Sequence, residues 1–297
     1  MRRLCLVCIL LLLFAGSAWG QTAEEADKLN ARLVELYEAG EYDEAIVIGK
    51  QALSISEKVL GADHPDTATS LNNLAGLYEV TGDYQKALPL YNRALAISEK
   101  SLGADHPDTA TSLNNLAVLY ESMGDFQRAL PLYQRSLIIS EKVLGPEHPD
   151  TATSLNNLAG LYESTGDYQQ ALKLYKRSLA IYEDALGAEN PDTAASLNNL
   201  AGLYESIGDY RQALPLYQRS LTIYENVLGA DHPDTATSLN NLASLYELTG
   251  DYRQALPLYQ RSLAISEKAL GPEHPDTATS LNNLASLFES TLSLIHI

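Results

Sequence analysis

Apolar residues recur at helical spacing in a stretch that opens with the letters PDTATSLNNLA. Leu71, Leu74, Ala75 and Tyr78 follow one another at offsets of 0, 3, 4 and 7, which places them on one face of an α-helix. The proline and the acid at the start of the stretch suit a first helical turn. Glycine commonly ends a helix in the left-handed conformation, so this helix is predicted to end at Gly82.

A second helix is predicted directly after Asp83, an acidic residue that can cap its first turn. Its apolar positions also have helical spacing and stop before Gly103: Tyr84, Ala87, Leu88, Tyr91, Ala94, Leu95 and Leu102. Pro89 lies about 140° from the stripe that contains Tyr84 and Tyr91, so its ring is predicted to face outward. The tight Gly-Asp turn makes the two helices an antiparallel hairpin.

The same two-helix pattern returns at a fixed period of 42 residues. The twelve letters HPDTATSLNNLA begin at His64, His106, His148, His232 and His274, and the near copy NPDTAASLNNLA begins at Asn190. A period of this length indicates an array in which each unit buries its apolar face against its neighbours. We therefore predict an all-α fold, a solenoid of antiparallel helix pairs.

The period also divides the chain. Residues 21–65 are predicted to form a divergent N-terminal capping repeat, residues 66–275 five 42-residue repeats, and residues 276–291 the first helix of an incomplete repeat. The first repeat keeps the letters AGEYDEAI, and we align its Arg32 and Leu33 with the asparagine pair of the later repeats.

The last six letters, LSLIHI at residues 292–297, depart from the repeat. They resemble the translation of a transposon mosaic end used to prepare sequencing libraries, so we interpret them as an adapter scar and exclude them from the fold. The natural protein is then expected to continue beyond this point. Leu281, Leu284 and Phe288 are expected to lack a covering helix, so this end is predicted to fray or self-associate.

The first twenty residues have the pattern of a secretory signal peptide. Arg2 and Arg3 precede an uncharged apolar run over residues 4–15, and small residues flank the expected cleavage point near Gly20. The run is shorter than the roughly 20 residues that a membrane-spanning helix needs. We therefore predict a periplasmic or secreted protein without a stable membrane span.

Charge narrows the range of partners. The chain has 20 basic and 38 acidic residues, a formal net charge of −18. Such a chain repels phosphate backbones, which argues against a nucleic-acid partner and favours a neutral or basic protein or peptide. Both cysteines, Cys5 and Cys8, lie within the predicted signal peptide, so no disulfide is expected in the processed chain.

The small and aromatic positions of the unit resemble the signature of tetratricopeptide repeats: Ala75, Tyr78, Gly82, Ala87, Tyr91 and Ala94. The 42-residue period, the letters LNNLA and ALAISEK, and the HPD linker are similar to the kinesin light chain type of that family. The resemblance implies a right-handed superhelix whose first helices line a concave, peptide-binding side. It does not imply attachment to a motor, because the chain has no heptad coiled-coil segment. Near-identical tandem copies of this kind also resemble bacterial proteins.

Two neighbouring asparagines in each first helix are the candidate binding residues. At 100° per residue they fall about 100° and 200° from the apolar stripe, so stacking would align them in two rows on the concave side. The first row is Asn72, Asn114, Asn156, Asn198, Asn240 and Asn282, and the second row is Asn73, Asn115, Asn157, Asn199, Asn241 and Asn283. An amide both donates and accepts, so the rows can bind the backbone of an extended peptide. The alternative is that the amides bond to neighbouring helices and hold the stack together.

One charge recurs on the exposed part of the first helix, and it is an acid: Glu79, Glu121, Glu163, Glu205, Glu247 and Glu289. A site for a terminal carboxylate would need recurring cations there, so such a ligand is disfavoured. The recurring arginines lie on the second helix and are predicted to pair with nearby acids at the surface: Arg93, Arg135, Arg177, Arg219 and Arg261.

Catalytic and cofactor motifs are missing from this pattern. The linker histidines recur one per layer, and Asn190 replaces one of them, so we interpret them as residues that separate layers and not as metal ligands. We expect no catalytic residues, metal or cofactor. The first hypothesis is a non-enzymatic scaffold that binds extended peptides. The alternatives are the sensor region of a truncated enzyme, such as a caspase-like peptidase, and an array that assembles end to end.

Overall fold

The computed structural model describes residues 23–295, with side chains over residues 23–291, and the described part consists of helices joined by short turns. The signal peptide predicted at residues 1–20 lies outside the described residues. The helices are α1 (23–38), α2 (Tyr42–Val59), α3 (Pro65–Val80), α4 (Tyr84–Ser101), α5 (Pro107–Ser122), α6 (Phe126–Val143), α7 (Pro149–Ser164), α8 (Tyr168–Ala185), α9 (Pro191–Ile207), α10 (Tyr210–Val227), α11 (Pro233–Leu248), α12 (Tyr252–Ala269) and α13 (Pro275–Ile295). The predicted all-α class is confirmed.

Two compact units are present, one ending at Ile139 and one beginning at Ser140, with the division inside α6. In the first unit α3 packs against α4, and in the second α7 packs against α8, α9 against α10 and α11 against α12. Within the units, second helices also contact the first helix of the next pair, as α4 does with α5 and α8 with α9. Within each unit, therefore, helix pairs stack as predicted. The right-handed path of the whole array stays a prediction.

The core follows the apolar stripe read from the sequence. Leu71 and Ala75 are fully buried, and Leu74 and Tyr78 nearly so. Leu77, which was not assigned to the stripe, is buried as well, because it packs against Leu33 and Ala45 of the preceding pair. A first helix therefore buries two faces, one against its own partner helix and one against the preceding layer.

The linker residues cap the first helices, as expected for residues that separate layers. The Nδ1 atom of His64 accepts a hydrogen bond from the amide of Asp66 at 3.2 Å. The Oδ1 atom of Asn190 accepts the equivalent hydrogen bond from the amide of Asp192 at 2.8 Å, which explains why asparagine can replace histidine here. Gly82 ends the hairpin turn with a φ of 76°, in the left-handed region that favours glycine.

The cap predicted at Asp83 is wrong in one respect. Its side chain does not cap α4 but bonds to the ammonium group of Lys86. The equivalent Asp167 does cap α8, accepting from the amide of Gln170 at 3.2 Å. A cation three residues on does not by itself prevent the cap, because Asp125 accepts from the amide of Arg128 at 3.1 Å while also pairing with its guanidinium group. Pro89 is exposed, as predicted, and α4 continues through it.

The arginines of the second helices pair with acids of the preceding second helix, which confirms the surface pairing. Arg135 Nη1 lies 2.6 Å from Glu99 Oε1 in the first unit, and Arg177 Nη1 lies 2.6 Å from Glu141 Oε1 in the second. Both partners are more than a third exposed, so each pair contributes on the order of 0.2–1 kcal/mol. The pairs set the register between layers more than they stabilise the fold.

The alignment of Arg32 and Leu33 with the asparagine pair is wrong. Asn30 donates to Ser70 Oγ at 3.3 Å, as Asn72 donates to Ser112 Oγ at 3.3 Å, so Asn30 is the counterpart of Asn72. Arg32 is instead an exposed residue that pairs with Glu35 at 2.8 Å. The 42-residue period itself places Asn30 at the position of Asn72, and the alignment missed this because α1 shares few letters with the later repeats.

The last helix buries fewer apolar side chains than its counterparts. Leu281 and Phe288 are 45% and 47% exposed, as predicted, whereas Leu284 is partly buried. Leu287 is buried against Ala243, and α13 runs on to Ile295, into the residues that we excluded from the fold. Fraying or self-association of this end stays a prediction.

Candidate peptide-binding site

Both asparagine rows lie on the first helices of the pairs, where the sequence places them. Most members are partly buried, and Asn199 and Asn282 are exposed. Half-buried amides of this kind can bond to a neighbouring helix on one side and to a ligand on the other. Their bonding partners differ between the two rows.

The first row uses its nitrogen atoms to connect layers. Asn72 Nδ2 donates to Ser112 Oγ of the following layer. The oxygen atoms of four row members are buried without a hydrogen-bond partner in the protein: Asn72, Asn156, Asn198 and Asn240. Leaving a buried acceptor unpaired costs about 1–3 kcal/mol, and because these oxygen atoms have almost no accessible surface, a ligand could pair with them only after neighbouring side chains shift.

The second row contacts the first at one point of the N-terminal unit. Asn73 Nδ2 donates to Asn30 Oδ1 at 3.4 Å, so an amide of one layer reaches the row position of the preceding layer. The amides therefore do hold neighbouring layers together, as the alternative interpretation proposed. The unpaired oxygen atoms show that this role does not use all of their bonding capacity.

A cavity of about 680 Å³, here called the N-terminal cavity, opens beside these amides in the first unit. Its walls come from α1, α3 and α5, with one residue of α4: Leu33, Val34, Tyr37, Glu38, Asn72, Asn73, Gly76, Leu77, Glu79, Val80, Tyr91, Asn115, Val118 and Ser122. Three asparagines predicted to bind peptide thus line one cavity. Val34, Tyr37 and Val80 are each more than 40% exposed, which makes the cavity wall markedly apolar.

Two smaller cavities lie between first helices elsewhere. One of about 160 Å³ is lined by Asn72, Asn73 and Asn115 together with Ser112. One of about 200 Å³ in the second unit is lined by Asn240 and Asn241. Among the described residues that line these three cavities, none is lysine or arginine. Asparagine and serine side chains are the polar groups that all three cavities share.

The recurring glutamates are held by hydrogen bonds that the sequence pattern did not reveal. Glu79 accepts from the Tyr91 hydroxyl at 2.9 Å and from the Ser122 hydroxyl, one layer further on, at 3.1 Å. Burial raises the pKa of Glu79 above its usual range, and the bonds from Tyr91 and Ser122 oppose that rise. Burial beside this carboxylate also raises the pKa of Tyr91. The signal was present in the sequence, since these residues recur with the repeat.

The same arrangement recurs in the second unit with one break. Tyr175 and Ser206 donate to Glu163 at 3.2 Å and 2.9 Å. Glu205 has Leu248 at the position where Glu163 has Ser206, and its Oε2 atom is buried without a partner. Burial accordingly raises the pKa of Glu205, and the bond from Tyr217 only partly opposes the rise.

We predict that Leu248→Ser stabilises the protein at neutral pH by about 0.5–1.5 kcal/mol, because it supplies the missing donor. A raised pKa in the folded state means that the folded chain binds more protons than the unfolded chain. The stability that Glu205 contributes is therefore present below the unfolded pKa of about 4.5 and is lost as pH rises through the folded pKa. The gain from Leu248→Ser should thus be large at pH 7 and absent at pH 4, as measured by urea denaturation.

Ser206→Ala provides the matched control, since it removes the donor that Glu163 already has. It should lower stability at pH 7 by a similar amount. An equal effect of Leu248→Ser at both pH values would show that Glu205 does not use the new hydroxyl.

The described residues contain neither a candidate metal site nor a candidate membrane span. No group of three or more His, Cys, Asp or Glu side chains there is arranged to hold a metal ion. Nor does any described helix combine the length and apolarity that spanning a membrane requires. The site is thus characterised by amides, carboxylates and apolar side chains.

The model of the tetratricopeptide repeat family matches the chain six times, over residues 26–100, 71–137, 116–184, 159–226, 192–268 and 242–291. A search of curated proteins gives no match. Among solved structures, the chain is similar to nearly identical TPR-like repeats of a Podosopora anserina kinesin light chain, with 32% identity, a TM-score of 0.56, and coverage of 69% of this chain and 97% of that one. A variant of the same protein gives a TM-score of 0.58 at the same identity and coverage. BtubC from P. vanneervenii is 25% identical with a TM-score of 0.59, covering 87% of this chain and 94% of that one.

Proposed function

The chain belongs to the tetratricopeptide repeat family, and from this premise we propose that it is a non-enzymatic scaffold that binds extended peptide segments along its asparagine rows. Repeats of this family generally serve protein–protein interaction. The observation that carries the finer proposal is that row asparagines line three cavities, while a further cavity of about 440 Å³ at α1 and α2 has none of them in its wall. The same amides also connect layers, as Asn72 does by donating to Ser112, so a ligand would bind the faces of the amides that the cavities leave accessible.

Amide rows suit a ligand whose side chains vary. Each layer of helices is about 10 Å thick, so it meets roughly three residues of an extended chain that rises about 3.3 Å per residue. Backbone groups of the peptide can then pair with amides of successive layers. Affinity would come from the repetition of one modest contact, without a demand for a particular side chain at each layer.

The expected ligand is neutral or basic. The cavity walls contain carboxylates and no described lysine or arginine, and the chain has a net charge of −18. An acidic peptide would be repelled, and a basic one would be attracted at long range. We further propose that the partner is met in the periplasm or outside the cell, on the basis of the signal pattern at residues 1–20.

The proposal is tested with a random peptide library of 12-residue members displayed on phage and selected on the full chain. Replacing both asparagines by alanine in three layers of the second unit removes six amides: Asn156, Asn157, Asn198, Asn199, Asn240 and Asn241. Each amide contributes about 0.5–1.5 kcal/mol, so affinity for selected peptides should fall on the order of 100-fold.

Helical content measured by circular dichroism should remain unchanged, because both row positions are only partly buried or exposed. Asn226→Ala is the matched control, since Asn226 is an exposed asparagine on α10 and belongs to neither row. Peptides that bind the six-alanine variant as well as the wild type would show that the rows do not bind them.

A further inference from the structure

Four departures from the repeat meet at the N-terminal cavity, whereas the similar departure at Leu248 in the second unit stands alone. Val34 and Val118 occupy one column of the array, and the other members of that column are Gly76, Gly160, Gly202, Ser244 and Ser286. Tyr37 stands in the glutamate column of Glu79, and Val80 stands in the serine column of Ser122. Each of these four departures places a larger apolar or aromatic side chain where most other layers have glycine, serine or glutamate, and all four residues line the same cavity.

The departures give this cavity a different chemistry from the rest of the array. In most other layers, the same columns hold glycine or serine, glutamate, and serine, which present small or polar groups. Here Val34, Tyr37 and Val80 are 46%, 44% and 44% exposed, so they are not buried for packing. Gly76 lies between the two valines of its column, and a Cβ atom there would come within 3.4 Å of the Tyr91 hydroxyl. The small residue keeps the cavity open between apolar walls.

Two carboxylates face the same cavity. Glu79 is fixed by its hydrogen bonds from Tyr91 and Ser122, and Glu38 lies exposed on α1. No lysine or arginine is among the described residues that line the cavity, so no cation of the lining neutralises this charge. A lysine or arginine side chain of a ligand would meet a pre-oriented carboxylate beside apolar surface, and such charge-assisted bonds are stronger than neutral ones.

We propose that the N-terminal cavity is a specificity pocket, which takes a large apolar side chain of a bound extended peptide next to a lysine or arginine. The apolar side chain packs on Val34, Tyr37, Val80 and Val118, and the cation binds Glu79 and Glu38. This inference rests on the proposed peptide-binding function and adds to it. The amide rows bind peptide backbone at many layers, whereas this cavity selects where along the array a given sequence is placed.

The test uses the same 12-residue random library, now scored for the residues enriched in selected peptides. The wild type should enrich an apolar residue beside lysine or arginine at least tenfold over the starting library. The triple variant Tyr37→Glu/Val80→Ser/Val118→Gly restores the residues of the other layers. It should lose the apolar preference while still binding peptides through the rows.

Glu79→Gln keeps a group that accepts from Tyr91 but removes the charge, so it should lower the enrichment of lysine and arginine at least tenfold and leave the apolar preference intact. Glu289→Gln is the matched control, because Glu289 belongs to the same column and lies outside the cavity. Thermal unfolding of each variant shows that the fold is retained. If Glu79→Gln fails to fold, Glu38→Gln at the exposed edge of the cavity tests the same charge and should also lower the enrichment of lysine and arginine.

The outcomes separate the two proposals. One outcome is that the wild type selects peptides without the apolar–basic pair, and that the six-alanine variant does not bind them. This outcome would contradict the specificity pocket and would agree with binding by the amide rows. Retention of the pair in the triple variant would also overturn it. If the wild type sediments as a dimer and the triple variant as a monomer, the pocket proposal is also contradicted, because a second copy of the chain would then cover the cavity.

Discussion

Replacing Leu203 with alanine is expected to lower the free energy of unfolding by about 2–5 kcal/mol. The Leu203 side chain on α9 is fully buried, and it packs against Ala159, Ala171 and Tyr175 of the preceding pair. Its truncation would leave a cavity between two layers that rigid helices cannot close. Urea denaturation followed by circular dichroism measures the loss.

Ile207→Ala is the control for that experiment. Ile207 lies one helical turn further along α9 and is 45% exposed, so its truncation should change stability by less than about 0.5 kcal/mol. Because layers of an array contact only their neighbours, the loss at Leu203 should appear as faster amide hydrogen exchange in α7–α10 and not in α2–α4. Equal losses for the two variants would contradict the assignment of Leu203 to the interface between layers.

Features set within a single hairpin could be predicted from the sequence. Helical spacing identified the stripe of Leu71, Leu74 and Ala75, and it is buried. The left-handed glycine at Gly82 follows from the local needs of a helix end, and so does the role of His64 at the start of α3. These features depend on residues a few positions apart, which is the range over which periodicity and capping rules apply.

Features set between layers were harder to predict. Leu77 and Leu203 lie off the stripe that faces their own partner helix, and only stacking explains their burial. Glu79 looks like a solvated charge in the sequence, yet it is bonded from a different helix and from the next layer. Contacts between residues 43 positions apart, such as Ser122 with Glu79, have no local signature. Only their recurrence with the period could have indicated them.

The candidate site was predicted in part. The asparagines do line cavities on the first helices, because a rotation of 100° per residue placed them opposite the apolar stripe. The double role of the first row, with nitrogen bonded and oxygen free, depends on the position of Ser112 in the next layer. The N-terminal cavity was missed because the misaligned α1 concealed which columns Val34 and Tyr37 occupy.

Gly49→Tyr is expected to destabilise the protein by about 3 kcal/mol, the upper end for overpacking of a filled core, even though it restores the residue of every other described layer. Gly49 occupies the column of Tyr91, and a Cβ atom at Gly49 would lie 2.9 Å from Leu33 Cδ1 and 3.3 Å from Leu74 Cδ1. Leu33 itself stands in the column of Ala75. The larger leucine therefore fills the space that a tyrosine ring occupies elsewhere in the array.

The loss should be recovered when the two linked positions are restored with it. Leu33→Ala frees the space, and Tyr37→Glu supplies the carboxylate that accepts from the tyrosine hydroxyl, as Glu79 does from Tyr91. We expect Gly49→Tyr/Leu33→Ala/Tyr37→Glu to be within about 1 kcal/mol of the wild type, so that the coupling between these adjoining sites recovers about 4 kcal/mol or more of the summed single losses. Leu33→Ala alone is the control and should cost about 2–5 kcal/mol, because it leaves a cavity beside Gly49. If the losses of the single variants simply added in the triple variant, the three exchanges would be unrelated. Coupling would show that Gly49, Leu33 and Tyr37 form one packing unit, in which Leu33 fills the space of the missing tyrosine ring and Tyr37 is left in the wall of the N-terminal cavity.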